Sequence, residues 1–375
     1  METNAYTRLT QAAWEALSSA EMTPQAAAGY VLNKNMPRSL PGILEKHMGK
    51  ESAALIVDKL TAYTPGSNRD SVARKVRNWL GGQSTPDRED LFRICFALGL
   101  SFADAERVMA LSTENAIHMR NPREVVYAYC LRKGIDYLGA QSLMGALPAH
   151  PPSEPGGKER ERKSDTLTHL IRSELDEVTD EGEFIRFYIK NAEHFSALHN
   201  TAYAKFLRMF QLLSDPGATA MYAPESDAYS IERVVDEYLR MDVPLDKKTQ
   251  NMDQVRKIIK RFWPNATAVK GMIARSEDVT RKTLLLLYIM AGGETAQQEY
   301  SDIDDEEATP DELLEEHCWR INLMLDSCGM SHLDPRSPFD WLVLYSLRCG
   351  EDEYMSERME DILQTLFDTN NPDDD

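Results

Sequence analysis

Apolar residues along this chain recur at three- and four-residue intervals and almost never alternate, so the pattern predicts helices rather than sheets. Residues 6–32 read as a first helical stretch, with Leu9, Ala13, Trp14 and Leu17 spaced for one face. From 41 to 138 come short helices split by breakers: PGILEKHMG, ESAALIVDKLTAY, DSVARKVRNWL, DREDLFRICFALG, FADAERVMAL and PREVVYAYCLRKG. Asp87 and Ser101 suit helix starts because their side chains can accept from unpaired backbone N–H groups, and Pro122 suits a first helical turn. Gly99 and Gly134 suit helix ends. Residues 147–165 combine Pro, Gly and mixed charge with no apolar face, the composition of a linker. Helical spacing then resumes, and the aromatic stripes Phe184, Phe187, Tyr188 and Tyr203, Phe206, Phe210 predict faces turned toward a core.

The last third of the chain repeats the first. RNPREVVYAYCLRKG matches RSPFDWLVLYSLRCG 216 residues later, pairing Arg120/Arg336, Pro122/Pro338, Tyr129/Tyr345, Leu131/Leu347, Arg132/Arg348 and Gly134/Gly350. PDREDLFRICFALG matches TRKTLLLLYIMAGG at an offset of 193, and an acidic insert at 297–317 supplies the difference. The expectation is an all-α protein of two duplicated multi-helix units joined by a helical middle segment. Its divisions are a lead-in at 1–40, a first unit at 41–146, the linker at 147–165 and the middle segment at 166–230. A second, divergent copy at 231–367 and a disordered tail at 368–375 complete it. Tyr129 and Leu131, like Tyr345 and Leu347, lie two apart and must face different neighbours.

Charge changes the picture for partners. The net value is −19, but residues 1–144 hold 17 Lys+Arg against 15 Asp+Glu, while residues 301–375 hold 4 against 22. The first unit is free to meet a polyanion; the C-terminal part calls for a protein partner with a basic face. No apolar run is long enough for a membrane helix, no secretory signal is visible, and five cysteines without a CxxC predict reduced thiols in a cytoplasmic protein.

The segment NRDSVARKVRNWLGGQSTPDREDLFRICFALGLSFADAERVM resembles the helix-turn-helix of the Xre/Cro-type repressor family over roughly residues 40–112. The resemblance implies a compact five-helix domain that binds duplex DNA, with Asn68–Leu80 as the helix that enters the major groove. Arg69, Arg74, Lys75 and Arg77 would be the side chains it presents to guanine edges or phosphates. The connection TPGSN is longer than the tight turn usual in that family. In the second copy RFWPNATAVKGMIARSEDVTRK keeps the apolar positions Val269 and Ile273 but fewer basic ones, Lys270 and Arg275, and places Gly271 inside the helix. The whole chain also resembles uncharacterised helical proteins of Firmicutes-type bacteria, a likeness that implies no activity.

His317, Cys318, Cys328 and His332 are metal-ligand residue types, but their spacing fits no zinc pattern, and Asp302–Glu307 lacks the alternation of a calcium loop. His194 and His199 point apart on a helix. Phosphate-loop, dinucleotide and nucleophile-elbow motifs are absent from the sequence, so no cofactor is expected. The functional expectation is a non-enzymatic regulatory protein that binds DNA through its first unit and a protein through its acidic C-terminal unit. The alternative is an interaction adaptor in a bacterial stress or phage-defence system, with neither unit touching nucleic acid.

Overall fold

The computed structural model describes residues 5–19, 22–32, 52–81, 84, 86–113, 116–148, 167–195, 198–215, 229–245, 252, 254–292, 309–350 and 353–367. Among them every regular element is helical, as the periodicity predicts, and no helix is long and apolar enough to cross a membrane. The expected helix PGILEKHMG, most of the 147–165 linker, the acidic run 302–307 and the tail 368–375 lie outside the described residues. The chain divides into two compact units. Two helices open it, α1 (Ala5–Leu17) and α2 (Pro24–Leu32), and both belong to the second unit.

The first unit comprises residues of Pro37–Leu198 with Gly329–Ser331. Its helices are α3 (Ser52–Tyr63), α4 (Arg69–Leu80), α5 (Arg88–Ala97) and α6 (Phe102–Thr113), followed by α7 (Pro122–Lys133), α8 (Tyr137–Ala146), α9 (Leu167–Glu177) and α10 (Glu181–Lys190). Side-chain caps set their starts: Asp87 accepts from Asp90 N–H at 2.7 Å and Ser101 from Asp104 N–H at 3.2 Å. Helix α7 is buried without a break from Glu124 to Leu131, which requires neighbours on every side and accounts for Tyr129 and Leu131 both lying inside. One continuous core runs from Ile56 to Phe195. The Tyr129 ring stacks on Phe184 with centroids 4.1 Å apart, so α9 and α10 are integral to this core.

The second unit gathers α1 and α2 with α11 (Asn200–Ser214), α12 (Ile231–Val234) and a π-helical turn at Val235–Leu239. It continues with α13 (Gln254–Lys260), α14 (Ala266–Ile273), α15 (Arg281–Met290), α16 (Pro310–Ser327), α17 (Pro338–Leu347) and α18 (Met355–Phe367). Helix α17 is buried throughout and α15 from Arg281 to Ile289. Helix α2 packs on α17 and α18, and Tyr30 stacks on Trp341 at 4.9 Å. Residues 1–40, expected as a separate lead-in, thus contribute two helices to the second unit's packing. The middle segment divides as well: Phe184, Phe187 and Tyr188 serve the first core, while Phe206 and Phe210 on α11 are buried in the second unit. The last part of the acidic insert 297–317 is helical. Pro310 to His317 form the first turns of α16, started by a capping box between Thr309 and Glu312, with Leu314 and His317 buried.

Connection lengths recur between the two units. The connection at 64–68 between α3 and α4 has the length of that at 261–265 between α13 and α14, and 81–87 matches 274–280. Asn68 and Asn265 cap α4 and α14. Helix α4 has 12 residues and α14 has 8, one turn fewer, which is why the offset falls from 197 at the asparagines to 193 at Arg88 and Arg281. Gly99 and Gly292 then take left-handed φ values of 62° and 64° at the same distance past those arginines.

Candidate nucleic-acid interface

Helix α4 starts at Asn68, whose side-chain oxygen accepts from Asp70 N–H at 2.8 Å. Val72, Val76 and Trp79 form its buried stripe. At 100° per residue, Arg74 and Arg77 stand about 200° and about 140° round from Val72, on the face turned away from the core. Both are exposed, and neither has a carboxylate partner among the described residues; the Arg77 Nε–H reaches only the Ala73 carbonyl of its own helix, at 3.4 Å. Ser71, Asn78 and Asp70 complete this outer face. Basic residues alone do not point to Ser71 and Asn78, although their spacing from Arg74, three before and four after, is the signal that places them beside it.

The other two basic residues stand elsewhere. Arg69 and Lys75 lie about 60° to either side of the buried stripe, and both are engaged. Arg69 donates through Nε to Asp58 Oδ1 on α3 at 2.8 Å, and Lys75 Nζ lies 4.0 Å from Asp90 on α5. The four candidates therefore form one outward pair and two flanking residues tied to acidic neighbours. The TPGSN connection turns through Gly66, at φ 82°, where a residue with a Cβ would be strained.

In the second unit the corresponding helix is engaged on its outer side. Lys270 of α14 forms an ion pair with Glu232 of α12. Arg275 hydrogen-bonds Asn200 of α11 and lies over the Tyr203 ring, 4.4 Å from its centroid. A Cβ on Gly271 would come within 2.9 Å of the Glu277 side chain, so the glycine lets that carboxylate fold against the helix.

The remaining constellations do not converge. His317 Nδ1 shares a hydrogen bond of 2.8 Å with the Tyr288 hydroxyl in the core, Cys328 is buried, and exposed His332 lies 3.5 Å from Asp326. Among the described residues no three His, Cys, Asp or Glu side chains are grouped to hold a metal ion. His199 pairs with Asp278 and His194 lies near Glu193, so the two histidines serve separate contacts. A polar cluster that sequence spacing does not reveal sits in the first unit. Glu89 Oε1 accepts from Tyr127 at 2.6 Å, Tyr137 at 2.7 Å and Arg123 at 3.2 Å, tying α5 to α7 and α8. Burial, followed by the hydrogen bond to Glu89, pushes the Tyr127 hydroxyl far above the usual tyrosine range, so it stays a donor.

No protein-family model matches this chain, and no curated protein or solved structure shows significant similarity to it. The interface accordingly rests on the residues of α4 and their exposure.

Proposed function

We propose that this chain is a non-enzymatic regulatory protein that meets duplex DNA through the outer face of α4 and a protein partner through its acidic second unit. The observation that carries the DNA half is the exposure of Arg74 and Arg77 without a carboxylate partner among the described residues, against the engagement of Lys270 and Arg275 in the other copy. Guanidinium groups free of carboxylates on a helix flank can release counterions from phosphates and can pair bidentately with guanine. Ser71 and Asn78 add neutral hydrogen-bonding groups beside them. The adaptor reading draws on Arg69 and Lys75, whose pairing with Asp58 and Asp90 lowers the charge the helix offers a polyanion.

Fluorescence anisotropy of the full chain with labelled duplex at low salt decides between them. Binding that Arg74→Ala/Arg77→Ala abolishes, in a variant with unchanged circular dichroism, supports the DNA reading. A folded full chain that leaves every duplex unbound sinks it in favour of the adaptor.

A further inference from the structure

The second unit presents an exposed stripe that mixes apolar and acidic side chains. On α16 the outward positions Glu312, Glu315, Trp319, Leu323 and Asp326 fall within an arc of about 80°. All five are exposed, Trp319 by 53% and Leu323 by 37%. The opposite side of the same helix buries Leu314, His317, Ile321 and Leu325. Glu312 is accounted for by the capping box. Glu315 has no ion-pair partner among the described residues. Asp326 sits in the last turn, where the helix dipole disfavours a carboxylate, and its neighbour is the exposed His332. Of the cations close in sequence, Arg320 is buried against Glu316, and Arg348 is held by Asp311 at 2.7 Å.

We infer that this stripe is a docking face for a basic amphipathic helix of a partner protein. Glu312, Trp319 and Asp326 recur every seven residues, the repeat along which two helices lie side by side. Apolar residues of the partner would cover Trp319 and Leu323, and lysines or arginines at its edges would meet the three carboxylates. Tryptophan is among the residues most enriched as energetic anchors at interfaces. Charge selects the occupant: with 22 Asp+Glu against 4 Lys+Arg in residues 301–375, nucleic acid and acidic helices are repelled. The inference deepens the protein-docking half of the proposed function and is independent of α4.

The test titrates the full chain with a capped peptide of two Lys-Leu-Ala-Lys-Leu-Ala-Lys repeats, followed by tryptophan emission and calorimetry. Trp79, Trp263 and Trp341 are already buried, so covering Trp319 should shift emission to the blue, and Trp319→Phe should remove that shift. Glu315→Lys/Asp326→Lys should weaken binding at least tenfold, with a smaller loss at high salt, because rim charge is screened. If the peptide binds both variants as it binds the parent chain, it sits elsewhere; the basic-partner reading then stands and this stripe falls. If no binding occurs, or if peptides with Leu→Gln or Lys→Glu bind equally well, both fall. Self-association of the unliganded chain that disappears in Trp319→Ala/Leu323→Ala would make a second copy the occupant and overturn the basic-helix assignment.

Discussion

Arg281 and Asp340 form a bidentate ion pair inside the second unit, at 2.7 and 2.8 Å, with only 2% and 4% of their side chains exposed. The arginine also donates to the His332 carbonyl at 3.1 Å, and Asp340 accepts from Asp334 N–H at 2.9 Å. The first unit builds the same device. Arg88 holds Glu124 through two bonds of 2.7 Å and the Ala116 carbonyl at 2.6 Å, and Glu124 accepts from His118 N–H at 2.7 Å. Every partner lies at the offset its segment has in the sequence repeat: 193 for the arginines and 216 for the carboxylates, carbonyls and amides. Four groups in each unit thus occupy matching positions of the sequence repeat. Each pair joins the first turn of one helix to the first turn of another, α5 to α7 and α15 to α17.

Breaking the buried pair from one side should be costly, because the survivor is left charged and dry. Asp340→Asn should destabilise the second unit by about 3–5 kcal/mol. Arg281→Lys should recover only part of the native stability, since an ammonium cannot span both oxygens. Glu124→Gln should cost less, because the Arg88 side chain keeps 26% of its surface in water. Urea denaturation followed separately in each unit measures the difference; equal losses would refute the assigned role of burial.

If α4 contacts DNA, its basic residues should not be equivalent. Replacing Arg74 and Arg77 by Ala should flatten the dependence of log affinity on log salt by about one unit for each phosphate no longer neutralised. Arg69→Ala and Lys75→Ala should change that slope less, since Asp58 and Asp90 already offset their charge. Titrations at several salt concentrations resolve the two classes, and a larger effect at Arg69 would reverse the orientation assigned to the helix.

A chain that ends after residue 148 should fail to form a cooperative first unit. It loses buried Leu167, Ile171, Leu175, Phe184, Phe187, Tyr188 and Phe195. Each is worth roughly 1.5–3 kcal/mol of burial, and their sum rivals the 5–15 kcal/mol by which a whole domain is stable. Near-ultraviolet circular dichroism and thermal unfolding of this truncation, against a fragment of residues 37–198, test the division. A cooperative transition in the shorter fragment would contradict it.

The pairing of His199 with Asp278 predicts an acid-side loss of stability. Burial raises the Asp278 pKa, but the hydrogen bond and charge of His199, with the His199 and Val279 N–H groups, outweigh it and hold the carboxyl below its usual range. A carboxylate with a lowered native pKa contributes stability that is present above its unfolded pKa, about 3.9, and lost as pH falls through the native value. The native chain should therefore weaken below about pH 4, and Asp278→Asn should lack that component. The carboxylate is partly exposed, so the difference should be small. Melting temperatures of both proteins between pH 6 and 3 that ran parallel would show that the pair contributes nothing to acid stability.

What the sequence determined by itself is local: the helices, several of their starting caps, and the aromatic stripes that face cores. These follow from apolar spacing and from which side chains can satisfy the first N–H groups of a helix, and both lie within a few residues. It singled out Arg69, Arg74, Lys75 and Arg77 as a group, and nothing in it separates the outward pair from the two that meet carboxylates. The tertiary structure decided which core each stripe serves, bringing Tyr30 to Trp341 and Phe184 to Tyr129. It also decided which charges stay available. Lys270 is neutralised by Glu232 and Arg69 by Asp58, whereas Arg74 has no carboxylate beside it among the described residues. Such pairing depends on where other helices bring their carboxylates, a property of packing over tens of residues that no periodicity within one helix encodes.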